Sequence, residues 1–122
     1  MDNSKSVIEF WKLFSEQKWN ESKKLLHSDF SAYWPQTKEK FSGIENYVGM
    51  NAEYPGHSVF EIMHVVQKND VVVSTTSIKA EDTGQTAIVT SYFEFLDGLI
   101  YKATEYWADY YDAPDSRKKW RN

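Results

Sequence analysis

The chain has 122 residues, 41% apolar and 16% aromatic, with a formal net charge of −4 and no cysteine. That composition excludes a disordered chain and fits one domain over residues 1–122, with a polar tail from about residue 112. It also excludes disulfide and thiolate chemistry, and the acidic balance disfavours nucleic acid, which needs a basic face.

The N-terminal stretch MDNSKSVIEFW has no apolar core of signal-peptide length, and nothing in the chain approaches a membrane span, so a cytoplasmic protein without membrane contact is expected. Val7, Phe10, Trp11 and Phe14 recur at helical spacing, with Ile8 and Leu13 beside them and Glu9, Lys12 and Glu16 between. This predicts an amphipathic helix over 4–16. A shorter helix is predicted from Trp19 or Asn20 to His27, with Leu25 and Leu26 facing inward. An extended piece, FSAYWP, then stops at Pro35, whose missing N–H suits a strand end or edge. QTKEKFSG reads as a polar loop. Gly43 precedes a third helix, IENYVGMNAEY, which ends before Pro55.

From His57 the period changes to two, predicting strands at 58–67, 71–80, 85–96 and 99–109. KND at 68–70 and EDTG at 81–84 mark two connections. Asp97-Gly98 is a type I′ hairpin signal, in which both central residues take positive φ. Helices followed by an antiparallel meander make an α+β arrangement. RKKWR, Arg117 to Arg121, reads as a solvated tail and contains the chain's only two arginines. Residues 1–116 therefore lack the planar grip that arginine offers phosphates and carboxylates.

An unbroken two-residue hairpin pairs Leu96 with Leu99, Glu94 with Tyr101, Tyr92 with Ala103, Thr90 with Glu105 and Ile88 with Trp107. Alternation puts these on one face, with Phe93, Phe95, Ile100 and Tyr106 on the other. Both faces are partly apolar, so helices cover one, and periodicity alone leaves open which.

Taken together, the amphipathic first helix, LLHSDFSAYWP, FSGIENY and FEFLDGLIYKATEYWAD resemble the nuclear transport factor 2-like superfamily, particularly its SnoaL-like and ketosteroid isomerase-like members. The resemblance spans nearly the whole chain. It implies a cone: a strongly curved antiparallel sheet around a cavity, closed by three helices from the N-terminal half. It points Trp107, Glu105, Ala103 and Tyr101 into the cavity, with Thr90 and Tyr92 beside them, and Phe10, Phe14 and Trp34 as further lining. Ketosteroid isomerase has its general-base Asp where this chain has Trp34, its oxyanion-stabilising Tyr where Phe10 stands, and its protonated Asp across from Glu105, at Thr90. With those roles gone, steroid isomerisation is not expected. The superfamily's epoxide hydrolases need an Asp–Arg–Asp set, and residues 1–116 hold no arginine. A homodimer through the outer sheet face is the family's usual assembly.

Glu105 among aromatic residues would be desolvated, and desolvation raises a carboxyl toward acid/base work near neutral pH. Catalysis, ligand contact and a structural hydrogen bond to Thr90 or a nearby Tyr hydroxyl all remain open for it. His64 pairs with Thr75, on a face with Phe60, Ile62 and Val66. It is either a core histidine or a proton-relay partner of Glu105. EIMH, Glu61 to His64, would suit a metal on a helix but not on a strand. No phosphate loop, Ser-His-Asp order or nucleotide fingerprint is present. The expectation is a cavity protein for a small, largely apolar molecule that can contain a ring, without metal or organic cofactor. It is either a cyclase- or isomerase-type enzyme using Glu105 or a non-enzymatic binding or dimeric interaction module.

Overall fold

A computed structural model describes residues 2–122. α1 spans Ser4–Ser15, and its buried side chains are Val7, Phe10, Trp11, Leu13 and Phe14, as the helical spacing predicts. The helix ends in a Schellman motif. Gln17 adopts φ 57°, its N–H donates to Phe14 O, and the Lys18 N–H donates to Leu13 O at 2.9 Å.

α2 (Trp19–Lys23) is shorter than the sequence suggests, because Leu26 already belongs to β1 (Leu26–Trp34). There Leu26 pairs with Ile100, and the Leu25 carbonyl accepts the Ile100 N–H at 2.9 Å. Tertiary strand pairing outweighs local helix propensity here. β2 (Glu39–Ser42) occupies part of the predicted loop and pairs antiparallel with β1. It is an edge strand whose only half-buried side chain is Phe41, so it carries no apolar alternation to be read. α3 spans Ile44–Glu53 and buries Tyr47 and Val48.

β3 (Ser58–Lys68), β4 (Val71–Ala80), β5 (Thr86–Leu96) and β6 (Leu99–Asp109) form the predicted meander. Asp97 and Gly98 take φ 54° and 77°, as a type I′ turn requires. The curved sheet has the order β2-β1-β6-β5-β4-β3 and does not close into a barrel. Every pairing is antiparallel except β1 with β6. The α+β cone expected from the sequence is the fold, with its helices in the N-terminal half. Beyond β6 the chain is exposed and ends in a 3-10 helix, Asp115–Trp120.

Two irregularities set which residues face inward. Tyr101 is an extra residue in β6: Phe95 pairs with Ile100 but Glu94 pairs with Lys102. Met63 is likewise extra in β3, between the Ile62–Thr76 and His64–Thr75 pairs. Each bulge bends its strand and moves every later side chain to the opposite face. Phe93, Phe95 and Ile100, expected outside, are therefore buried in the core. α1 packs on β3 and β4, and α3 packs on β1 and β2, covering the inner face. Each large apolar side chain buried there, such as Phe10 or Phe93, contributes roughly 1.5–3 kcal/mol.

Candidate functional site

The Tyr101 bulge brings Glu105 to the inner face, where it is 0% exposed. Its neighbours come from three other elements. Ser91 lies opposite on β5. Trp34, at the end of β1, stands one residue beyond the Tyr33–Thr104 pair and so level with Glu105. Tyr47 reaches it from α3. The Trp34 Nε1–H and the Tyr47 hydroxyl donate to Glu105 Oε1 at 3.2 and 2.7 Å, and the Ser91 hydroxyl donates to Oε2 at 2.6 Å.

Burial raises the Glu105 carboxyl above its ordinary range, and the three donors, which favour the charged form, oppose that rise only in part. Tyr47 is pushed well above the ordinary phenol value by burial and then by the negative charge of Glu105. The two groups are therefore suited to opposite roles: a carboxyl readily protonated and a phenol that keeps its proton.

Beside this cluster lies a cavity of about 240 Å³. Phe14, Trp19, Phe60, Ile78, Trp34, Met50 and Trp107 form its apolar and aromatic wall, and Asn51, His57, Gln85 and Asp109 are among its polar members. The Trp34 and Trp107 rings meet edge to face, centroids 5.3 Å apart. Glu105 is not a lining residue: Trp34, which donates to it, lines the cavity in its place. His57 Nε2 faces the Ser15 carbonyl at 2.8 Å. A carbonyl only accepts, so Nε2 carries the proton and Nδ1 faces Glu81 at 3.5 Å.

Of the residues singled out from the sequence, Phe14, Trp34 and Trp107 line this cavity. Phe10 and Ala103 are buried in the core beside it. Thr90 and Tyr92 are corrected to the outer face: Thr90 is within 3.1 Å of Thr75 Oγ1, and Tyr92 is 44% exposed against Tyr106. The bulge is the reason, and it puts Ser91, not Thr90, across from Glu105. Tyr101, the bulged residue, sits against His27 with ring centroids 5.4 Å apart. His64 is exposed, because the Met63 bulge turns it away from Phe60 and Ile62, and it belongs to no relay with Glu105. Sequence reasoning missed Tyr47 and Ser91 as partners of Glu105, and Trp19, His57 and Asp109 in the cavity. The helical spacing of Tyr47 and Met50 is the one local signal for any of them. Among the described residues, no three His, Asp or Glu side chains are grouped to hold a metal.

The profile of the SnoaL-like domain matches residues 7–103. The chain belongs to the SnoaL-like family. Among solved structures it is similar to a protein from Kribbella flavida DSM 17836, provisionally assigned as a ketosteroid isomerase, with TM-score 0.87 and 22% identity over 98% of this chain and 87% of that one. An NTF-2 like protein of unknown function from Burkholderia xenovorans LB400 gives TM-score 0.85 and 21% identity over 98% and 93%. An LEH-like epoxide hydrolase from M. tuberculosis gives 0.72 and 16% over 87% and 82%. No curated protein matches the sequence. At these identities the likeness is one of fold, and the SnoaL-like scaffold leaves function to the site.

Proposed function

We propose that this SnoaL-like chain binds a small molecule with a largely apolar body in the cavity walled by Trp34 and Trp107. The aromatic lining carries the reading: a largely apolar wall with several polar members suits a guest with an apolar body. The volume, about 240 Å³, is below the roughly 300–1,000 Å³ usual for drug-sized ligands, which favours a guest of about one ring. A thermal-shift panel tests it. Neutral aromatic probes should stabilise the protein more than sugar phosphates of similar size, and stabilisation by sugar phosphates alone overturns the reading.

Proton transfer by Glu105 is the second reading, favoured by its buried carboxyl with a raised pKa directly behind the Trp34 wall. It requires Trp34 to leave its hydrogen bond, because the carboxylate does not line the cavity. As the protein stands, Glu105 is a positioning residue that fixes the Trp34 indole. The chain also pairs as a homodimer through the outer sheet face in this proposal. Val66, Tyr92 and Tyr106 are 65%, 44% and 46% exposed there, which supports a covered surface.

A further inference from the structure

We propose that the cavity takes an organic cation, an ammonium head on an apolar body. This rests on the small-molecule reading above and narrows it to a charge class.

The charges around the cavity point one way. Among the described residues, Asp109 is the only carboxylate lining it, and no lysine or arginine does. The Asp109 side chain is exposed at the cavity's edge on β6 and makes no ion pair or hydrogen bond among the described residues, so no protein group neutralises its charge. The lysines nearest in sequence to lining residues are turned elsewhere. Lys18 is paired with Glu16 at 3.4 Å, and Lys79 is exposed on the face of β4 opposite the lining residues Ile78 and Ala80.

Two further carboxylates stand next to lining residues without lining the cavity themselves. An Asp82 oxygen lies 2.8 Å from where a Cβ on Gly56 would stand, and Gly56 lines the cavity. Glu81 is 3.5 Å from Nδ1 of the lining residue His57, whose Nε2 proton is already given to Ser15. An anionic guest would find Asp109 and no lysine or arginine to meet it.

The walls complete the argument. Phe14, Trp19, Trp34, Tyr54, Phe60 and Trp107 line the cavity. Aromatic ring faces carry negative electrostatic potential and attract ammonium groups, tryptophan most strongly. Trp34 and Trp107 pack against each other edge to face at 62°, so a guest beside the pair meets two differently tilted ring surfaces. Aromatic walls alone would suit any apolar guest. Their combination with an unmatched carboxylate favours a cation.

Three probes of one shape separate the possibilities: phenyltrimethylammonium, its neutral isostere tert-butylbenzene, and the anion benzoate, each titrated by NMR. The cation should bind about tenfold tighter than the isostere, with benzoate weakest. Asp109→Asn should cost the cation about fivefold and leave the isostere unchanged, which also shows that the variant is folded. An isostere binding as tightly as the cation overturns this inference and leaves the small-molecule reading standing. A cation preference that survives Asp109→Asn undiminished overturns it too. If no probe binds, whatever its charge, both readings fall.

Discussion

The Trp34 indole donates to Glu105 Oε1 at 3.2 Å, which makes the cavity wall and the buried carboxylate behind it one unit. β1 supplies one and β6 the other, and the parallel pairing of those strands sets them level. Tyr47 and Ser91 complete the hydrogen bonding, so an ionised Glu105 meets three donors. A buried charge is tolerable only when satisfied in this way.

Replacing Glu105 should therefore depend on what replaces it. In Glu105→Gln the amide oxygen can accept from Trp34 and Tyr47, while the amide N–H donates to Ser91 Oγ. The fold and cavity should persist, with stability changed by less than about 1 kcal/mol. Glu105→Ala strands three donors and opens a void, costing about 3 kcal/mol or more. Urea unfolding of the two variants makes the comparison. Equal losses would show that the hydrogen bonds do not hold the cluster together.

The pH dependence follows from the same carboxyl. In the unfolded chain it ionises near its ordinary value of 4.5, while in the fold burial holds it higher. Between those values the folded state binds more protons, so stability falls as pH rises. Tyr47 adds a second loss above its ordinary 10.0, because the folded phenol resists ionisation. Unfolding free energies from about pH 4 to about pH 9 should decline for the natural chain relative to Glu105→Gln, then run parallel once Glu105 is ionised in both states. A difference between the two that does not vary with pH would mean that burial does not shift this carboxyl.

Much of this arrangement was legible in the sequence. The spacing of Phe10, Trp11 and Phe14 marks α1, and Asp97-Gly98 fixes the β5–β6 turn, because each follows from a local rule. β2 was not legible: Glu39, Lys40 and Ser42 are exposed on an edge and show no alternation. The bulges at Tyr101 and Met63 were missed because an extra residue leaves no compositional mark, yet each reverses the faces beyond it. Hence Glu105 and Trp107 lie on the inner face, with Glu105 behind the Trp34 wall and not lining the cavity as the resemblance implied, while counting placed Thr90 and Tyr92 on the wrong side. The cavity draws on α1, α2, α3, β1 and the four meander strands, as well as on loops, so no single spacing announces it.

His64 offers a direct check on the outer-face assignment. Its side chain is exposed and forms no hydrogen bond or ion pair among the described residues. His64→Ala should change stability by no more than about 0.5 kcal/mol and leave probe binding in the cavity unaltered. A large effect on either would restore His64 to the site and contradict the Met63 bulge.

The outer sheet face supplies the last prediction. Tyr92 and Tyr106 meet there with ring centroids 6.1 Å apart, flanked by the Thr75–Thr90 pair and by Val66. The Glu94–Lys102 pair lies at its margin. A two-fold interface brings the same patch from both copies together, so a charge introduced at its centre meets its own like. Tyr92→Lys with Tyr106→Lys should therefore leave the inner core untouched but separate the copies. Light scattering at roughly tens of micromolar should give twice the 14.3 kDa chain mass for the natural protein and the single mass for the variant. The variant should still bind a neutral aromatic probe, since neither tyrosine lines the cavity. A natural protein that scatters as a monomer at that concentration sinks the dimer, and a variant that remains dimeric moves the interface to another surface.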